Sequence, residues 1–159
     1  MKTYSGNITK LLKNQIFVFG SNTEGRHGQG AAKWALINAG AIYGQPMGWQ
    51  GQSYAIMTKD LTKRVHPSVN KDTIQWQIGV LYHNANQNPD LEFLIAYSGT
   101  GSNLNGYTNK EMAWMFKHPI DSEGDPWVNS IDLFNVKPFS IPENIIFEES
   151  FYNLILTLP

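Results

Sequence analysis

Ile16-Phe17-Val18-Phe19-Gly20-Ser21-Asn22-Thr23-Glu24-Gly25-Arg26-His27-Gly28-Gln29-Gly30-Ala31-Ala32 reads as a buried strand, a glycine-rich turn and the opening of a helix. The apolar run at 15–19 is rich in β-formers, as a central parallel strand is. Ala31, Ala32, Trp34, Ala35, Leu36 and Ala39 mark a helix over 30–39 that Gly40 ends. A strand that turns straight into a helix gathers bare backbone N–H groups and the positive end of a helix dipole at one point. Such a point attracts phosphate. The stretch therefore predicts an α/β fold that binds a phosphorylated small molecule, with a nucleotide as the first candidate.

The rest of the chain continues the alternation. Ser53-Tyr54-Ala55-Ile56-Met57-Thr58 reads as a second strand. Ile74, Ile78, Leu81 and Tyr82 stand at helical spacing over 71–84, ahead of Pro89. Residues 91–97 read as a third strand, followed by a second glycine-rich loop from Ser98 to Tyr107. Thr108-Asn109-Lys110-Glu111 matches a capping box and opens a short helix. Trp34, Trp76 and Trp114 fall on these helices and are expected in the core. Residues 118–143 carry Pro119, Gly124, Pro126, Pro138 and Pro142 and read as irregular. A last short strand is expected at 144–147, and 151–158 as a closing helical turn or tail. The expectation is one α/β domain over 1–159, in three layers, with a mostly parallel central sheet flanked by helices. In such sheets ligands sit at the carboxyl ends of the strands, where both glycine-rich loops fall.

Composition narrows the classes. The chain has 159 residues, 42% of them hydrophobic, and a net charge of −1. That supports a core and lacks the basic footprint of a nucleic-acid module, so no nucleic-acid partner is expected. A local nest of N–H groups can still hold a nucleotide-sized anion. With no cysteine there is no disulfide, thiolate metal site or cysteine nucleophile. No apolar run approaches a membrane span, and Met1–Gly6 lacks the apolar core of a signal peptide. A soluble, cytoplasmic protein without a membrane partner is expected. His66, His83 and His118 lie apart without metal-ligand spacing, so neither a metal nor a cofactor is expected. There is no G-x-S-x-G elbow and no H-E-x-x-H.

Two phosphate motifs fail in the first loop. Gly20 and Gly25 have Walker A spacing, but Arg26-His27 replace the lysine and hydroxyl that reach phosphate and magnesium. Gly28-Gln29-Gly30 begins a dinucleotide fingerprint that Lys33 breaks at its third glycine. What remains is a loop of small residues. Gly20, Gly25, Gly28 and Gly30, with Ser21 between them and the strand end, allow a ligand close to the backbone. Asn22 offers an amide for a ribose hydroxyl or a water, and His27 a general base or a phosphate donor. The plainer alternatives are a tight βα turn and an ordinary hydrogen-bonded loop histidine. Arg26 is expected in solvent. In the second loop Ser98, Gly99, Thr100, Gly101 and Gly106 would turn N–H groups over the same edge. Tyr107 either stacks on the ligand or staples the following helix. Lys59 and Asp60, at the end of the second strand, meet a phosphate and a ribose or base, or form a solvated pair. Trp49, in the polar glycine-rich segment 43–53, either stacks on a base or only packs.

Three runs together resemble macrodomain-like proteins of bacteria and their phages. They are Phe19-Gly20-Ser21-Asn22 through Gly25, His27, Gly28 and Gly30 to Ala32, then Gln50 to Lys59, then Gly99 to Thr108. The resemblance spans most of 15–117 and the strand near 144–147, and leaves out 118–143. It implies a three-layer macrodomain-like fold that binds ADP-ribose or a derivative. In active members it also implies hydrolysis of ADP-ribose 1″-phosphate or of protein-linked ADP-ribose. Asn22 would then meet the distal ribose, Gly25, Gly28 and Gly30 would frame the diphosphate and distal ribose, and residues 99–107 would clasp the phosphates. The family's Asn-Ala-Ala-Asn run is Phe19-Gly20-Ser21-Asn22 here, and Gln29 interrupts its adjacent glycines.

Three functions follow as expectations. In the first, an enzyme uses Asn22 to place ribose and water, His27 or the substrate's own phosphate as base, and loop N–H groups to stabilise charge. In the second, a binding module needs only the loops. In the third, the loops contact another protein. Oligomeric state is not legible.

Overall fold

The structure is a computed structural model and describes residues 1–99, 103–129 and 141–159. In chain order its elements are β1 (Thr3–Tyr4), β2 (Gln15–Asn22), α1 (Gly30–Asn38), β3 (Gly48–Gln50), β4 (Ser53–Lys59) and α2 (Lys71–Gln87), then β5 (Glu92–Ile95), α3 (Asn109–Lys117), β6 (Ile145–Glu148) and α4 (Glu149–Thr157). One six-stranded sheet runs β1-β6-β5-β2-β4-β3. Every pairing is parallel except β3 with β4. The protein is thus an α/β fold with a mostly parallel mixed sheet and four helices among the described residues.

Side-chain alternation along the strands creates two cores. Ile16 and Val18 of β2 join Tyr54, Ile56, Phe93, Ile95, Ile145 and Phe147 on one face. Onto them pack Ile74, Ile78, Leu81 and Tyr82 of α2, Ala113, Met115 and Phe116 of α3, and Phe151 and Ile155 of α4. Each large side chain fully buried there contributes about 1.5–3 kcal/mol. Phe17 and Phe19 of β2 point the other way and meet Ala55, Ala32, Ala35 and Ala39, so among the described helices α1 covers the second face, with Ile8 and Leu11 beside it. Helices on both faces make three layers, as the alternation of elements predicts.

The differences from the sequence reading lie at edges and ends. β2 runs three residues past Phe19, because Gly20, Ser21 and Asn22 keep pairing with β4. The segment around Trp49 is a hairpin: β3 pairs antiparallel with β4, and Trp49 packs on Tyr54 and Phe93. β1 was not legible, since two residues hold no periodicity. The closing segment is a full helix, begun by Glu148, whose carboxylate accepts the Phe151 N–H. The capping box forms as read: Thr108 accepts the Glu111 N–H and Glu111 accepts the Thr108 N–H. In the irregular segment Ile120 and Pro126 form an isolated bridge, and residues 130–140 lie outside the described part.

Trp76 is a correction. It is 37% exposed, because the inward face of α2 is taken by Ile74, Ile78, Leu81 and Tyr82 and position 76 turns outward. Trp34 is half-buried against Phe17, and Trp114 is half-buried between the His118 ring and the Lys71 ammonium. Among the described residues no helix is long and apolar enough to cross a membrane.

Candidate functional site

The carboxyl ends of β2, β4 and β5 open into a cavity of about 1070 Å³. Its position follows from the uneven faces of the sheet. Ala31, Ala32, Ala35, Ala39, Ala55 and Ala96 let α1 lie close to the strands, and the cavity opens beside the helix start. A register shift between Ser21 and Asn22 sets Asn22 opposite Lys59 and skips Thr58, whose hydroxyl donates to the Ser21 carbonyl. Gly20, Ser21, Asn22, Thr58 and Lys59 therefore share one rim of the cavity.

α1 starts without a cap. Gln29 makes no side-chain cap bond, and the first turn carries no acidic residue. Gly30, Ala31 and Ala32, whose N–H groups begin the helix, line the cavity. Beside them Ser21 is 4% exposed, and its hydroxyl has no hydrogen-bond partner. A buried polar atom left unpaired costs about 1–3 kcal/mol, so such atoms call for an explanation. Among the described residues the only others are the two ring nitrogens of His27. All three orphaned atoms belong to the end of β2 and the loop that follows it.

The structure separates the residues singled out by sequence into two groups. Gly20, Ser21, Asn22, Gly28, Gly30, Lys59 and Ser98 line the cavity, and so does Arg26. Gly25, His27, Asp60, Gly99, Gly106 and Tyr107 do not, while Thr100 and Gly101 lie outside the described residues.

Most of the second group builds the loops. Gly25 has φ +62°, and a Cβ there would stand 2.5 Å from the Gln45 amide nitrogen, so the first loop rests on the 44–45 backbone. A Cβ on Gly106 would stand 2.7 Å from the backbone of His66 and Pro67. His27 is 1% exposed, edge-on to Phe19 at 5.2 Å and to Tyr43 at 6.5 Å. Tyr107 is buried and donates its hydroxyl to the Val69 carbonyl at 2.5 Å, which makes it the staple beside α3. Burial, then the nearby Glu111 and Asp72 charges, raises its pKa. Asp60 accepts both the hydroxyl and the N–H of Thr62, which lowers its pKa and ties it to its own turn.

Asn22 does both jobs. Its Oδ1 accepts the Glu24 N–H at 3.3 Å and the Arg26 N–H at 2.9 Å, and its Nδ2 donates to the Arg26 carbonyl at 3.0 Å. It staples the loop shut while lining the cavity. Arg26 pairs with Glu24 at 2.6 Å, whereas no ion pair of Lys59 is found among the described residues.

Sequence reasoning missed part of the lining. Tyr4, Gly6, Asn7, Ile8 and Thr9 line the cavity, as do Phe17, Trp34, Ala96 and Tyr97, which add apolar and aromatic surface. Tyr4 donates to the Ile95 carbonyl at 2.6 Å, and burial raises its pKa far above the ordinary 10.0. Nothing periodic marks 5–9, and only the return of the chain across the sheet brings it there. On the second loop Asn103, Leu104 and Asn105 reach the cavity. Asn103 donates to the Tyr107 carbonyl and to Asn109 Oδ1, holding that turn closed. Among the described residues no carboxylate or imidazole lines the cavity, and no group of His, Asp and Glu gathers as a metal cluster.

Comparison of the chain with protein-family models, with curated proteins and with solved structures gave no significant match.

Proposed function

We propose that the protein binds an ADP-ribose-type nucleotide in this cavity, as the resemblance of its loops to macrodomain-like proteins implies. The observation that carries the reading is the pairing of an uncapped helix start with an unpartnered, buried Ser21 hydroxyl on one wall. Helix N–H groups and a hydroxyl are what a phosphate oxygen accepts from. Lys59 stands on the same rim and adds a positive charge. Trp34, Phe17 and Ile8 also line the cavity and offer an apolar surface for a ring. The volume of about 1070 Å³ has room for both ends of such a ligand.

Binding is favoured over hydrolysis by one feature. A hydrolase needs a base within reach of the attacking water, and no carboxylate or imidazole lines the cavity among the described residues. His27 is buried behind the loop. The reading is therefore a nucleotide-binding module, with substrate-assisted attack by water as the chemistry that the described lining leaves open.

Calorimetric titration with ADP-ribose, with AMP and ATP as controls, tests this. Micromolar binding of ADP-ribose alone is expected, together with a rise in Tm, because a ligand that binds only the folded state stabilises it. No heat and no thermal shift with any of the three would refute the assignment. Turnover of ADP-ribose 1″-phosphate that Asn22→Ala abolishes, in a variant that still folds, would move the protein to the enzyme class.

A further inference from the structure

We infer that residues 6–11 form a movable strap that re-seats over a ligand in the cavity and controls its release. This deepens the binding reading and rests on it for the ligand-bound state.

Among the described residues, none of the backbone or side-chain groups of 6–11 makes a hydrogen bond. The segment is not part of a helix or strand. Most of it is exposed, and its attachment is apolar: Ile8 and Leu11 pack, half-buried, on the α1 core beside Trp34 and Ala31. Its two ends are fastened differently. Before it, β1 pairs with β6 and Gly6 turns the chain at φ +76°. After it, Leu12 donates its N–H to Gln15 Oε1, and its carbonyl accepts from the Gln15 N–H and from Gln52 Nε2. Between these points six residues are held by two side chains.

The same segment supplies Gly6, Asn7, Ile8 and Thr9 to the cavity wall. The rest of the lining includes the end of β2 and the start of α1, with Asn22 stapling the loop between them. A ligand would thus meet one wall rigid by hydrogen bonding and one that is not, and segments with few buried contacts open at low free energy. Backbone groups that lack partners in the free protein become available to the polar atoms of a ligand. Re-seating then orders the strap around it, and release requires the strap to lift again.

Hydrogen exchange read at 6–11, with and without ADP-ribose, tests the inference. In the free protein these amides are expected to exchange within about tenfold of an unstructured chain, while those of 16–19 in β2 are strongly protected. With saturating ADP-ribose, exchange at 6–11 should slow by about tenfold or more. Leu11 anchors the strap without lining the cavity, so Leu11→Ala should release ADP-ribose at least about threefold faster in a displacement experiment. Calorimetric binding of ADP-ribose with unchanged exchange at 6–11 would overturn the strap and leave the nucleotide reading standing. Absence of binding would overturn the nucleotide reading. The free protein then decides the strap: fast exchange at 6–11 supports it, and protection equal to that of 16–19 overturns it.

Discussion

The two faces of the sheet are built to different specifications. One is closed by three helices and by Ile, Phe and Tyr side chains, with Ile74, Ile78, Leu81, Tyr82, Phe93, Ile145 and Phe147 essentially inaccessible. Among the described residues the other is covered by one nine-residue helix on alanines, with Ile8 and Leu11 beside it, and it holds the cavity. The difference teaches where stability and binding are kept. Large side chains at one face provide the hydrophobic stabilisation, and small ones at the other keep space open at the strand ends. The three orphaned polar atoms lie on the open face and none on the closed one, among the described residues.

The comparison breaks most visibly on the closed face. Ile78→Ala removes a fully buried side chain from the helix that spans the sheet, and should cost about 2–5 kcal/mol. Denaturant titration reads it, and a loss below about 1 kcal/mol would mean this face can collapse around a cavity.

Alkaline unfolding probes the same face. Burial raises the Tyr82 pKa well above its ordinary 10.0, and that of Tyr54 is raised for the same reason, partly offset by Asn84. A folded-state pKa above the unfolded one favours the protonated phenol. This stability is complete below pH 10 and is lost as pH rises through the folded values. Circular dichroism should show a marked fall in Tm above that pH, and Tyr82→Phe should shrink it. An equal fall in the variant would assign the alkaline limb to other groups.

On the open face, glycines of one loop should divide. Gly25→Ala forces a side chain onto the 44–45 backbone at positive φ and should cost about 1–3 kcal/mol, with loss of ADP-ribose binding. Gly28 has open space around its Cβ position and an ordinary φ, so Gly28→Ala should leave stability within about 0.5 kcal/mol. Similar losses in both would show that the loop is not divided into a buttressed half and a free half.

The smallest effect on stability belongs to Ser21. Ser21→Ala deletes an unpaired hydroxyl and should leave Tm unchanged or slightly raised, since no bond is broken. Affinity for ADP-ribose should fall about tenfold, the worth of one hydrogen bond to a charged group. Unchanged affinity would remove Ser21 from the site and weaken the contrast between the faces.

Much of this was legible in the residues. The run 15–19 is a strand because its apolar side chains serve both faces, and 71–84 is a helix because Ile74, Ile78, Leu81 and Tyr82 share one side. The capping box at Thr108–Glu111 needs only local geometry and forms as read. Of the site, Gly20, Ser21, Asn22, Gly28, Gly30, Lys59 and Ser98 reach the cavity because a strand end and the following turn must project there. His27, Gly25 and Tyr107 could not be sorted in this way. Whether a loop side chain turns toward a ligand or into the core depends on which distant segment lies beneath it: Phe19 and Tyr43 for His27, the 44–45 backbone for Gly25, and Val69 for Tyr107.

Read by itself, then, the sequence determined the α/β alternation, the parallel sheet and the strand-end loops, because periodicity, capping and glycine turns act over a few residues. The tertiary structure alone decided that Asn7, Ile8 and Thr9 wall the cavity, that 48–50 pairs at an edge, and that Trp76 faces outward. Those outcomes depend on contacts between residues far apart in the chain, which the closing of the sheet and the packing of its two unequal faces select.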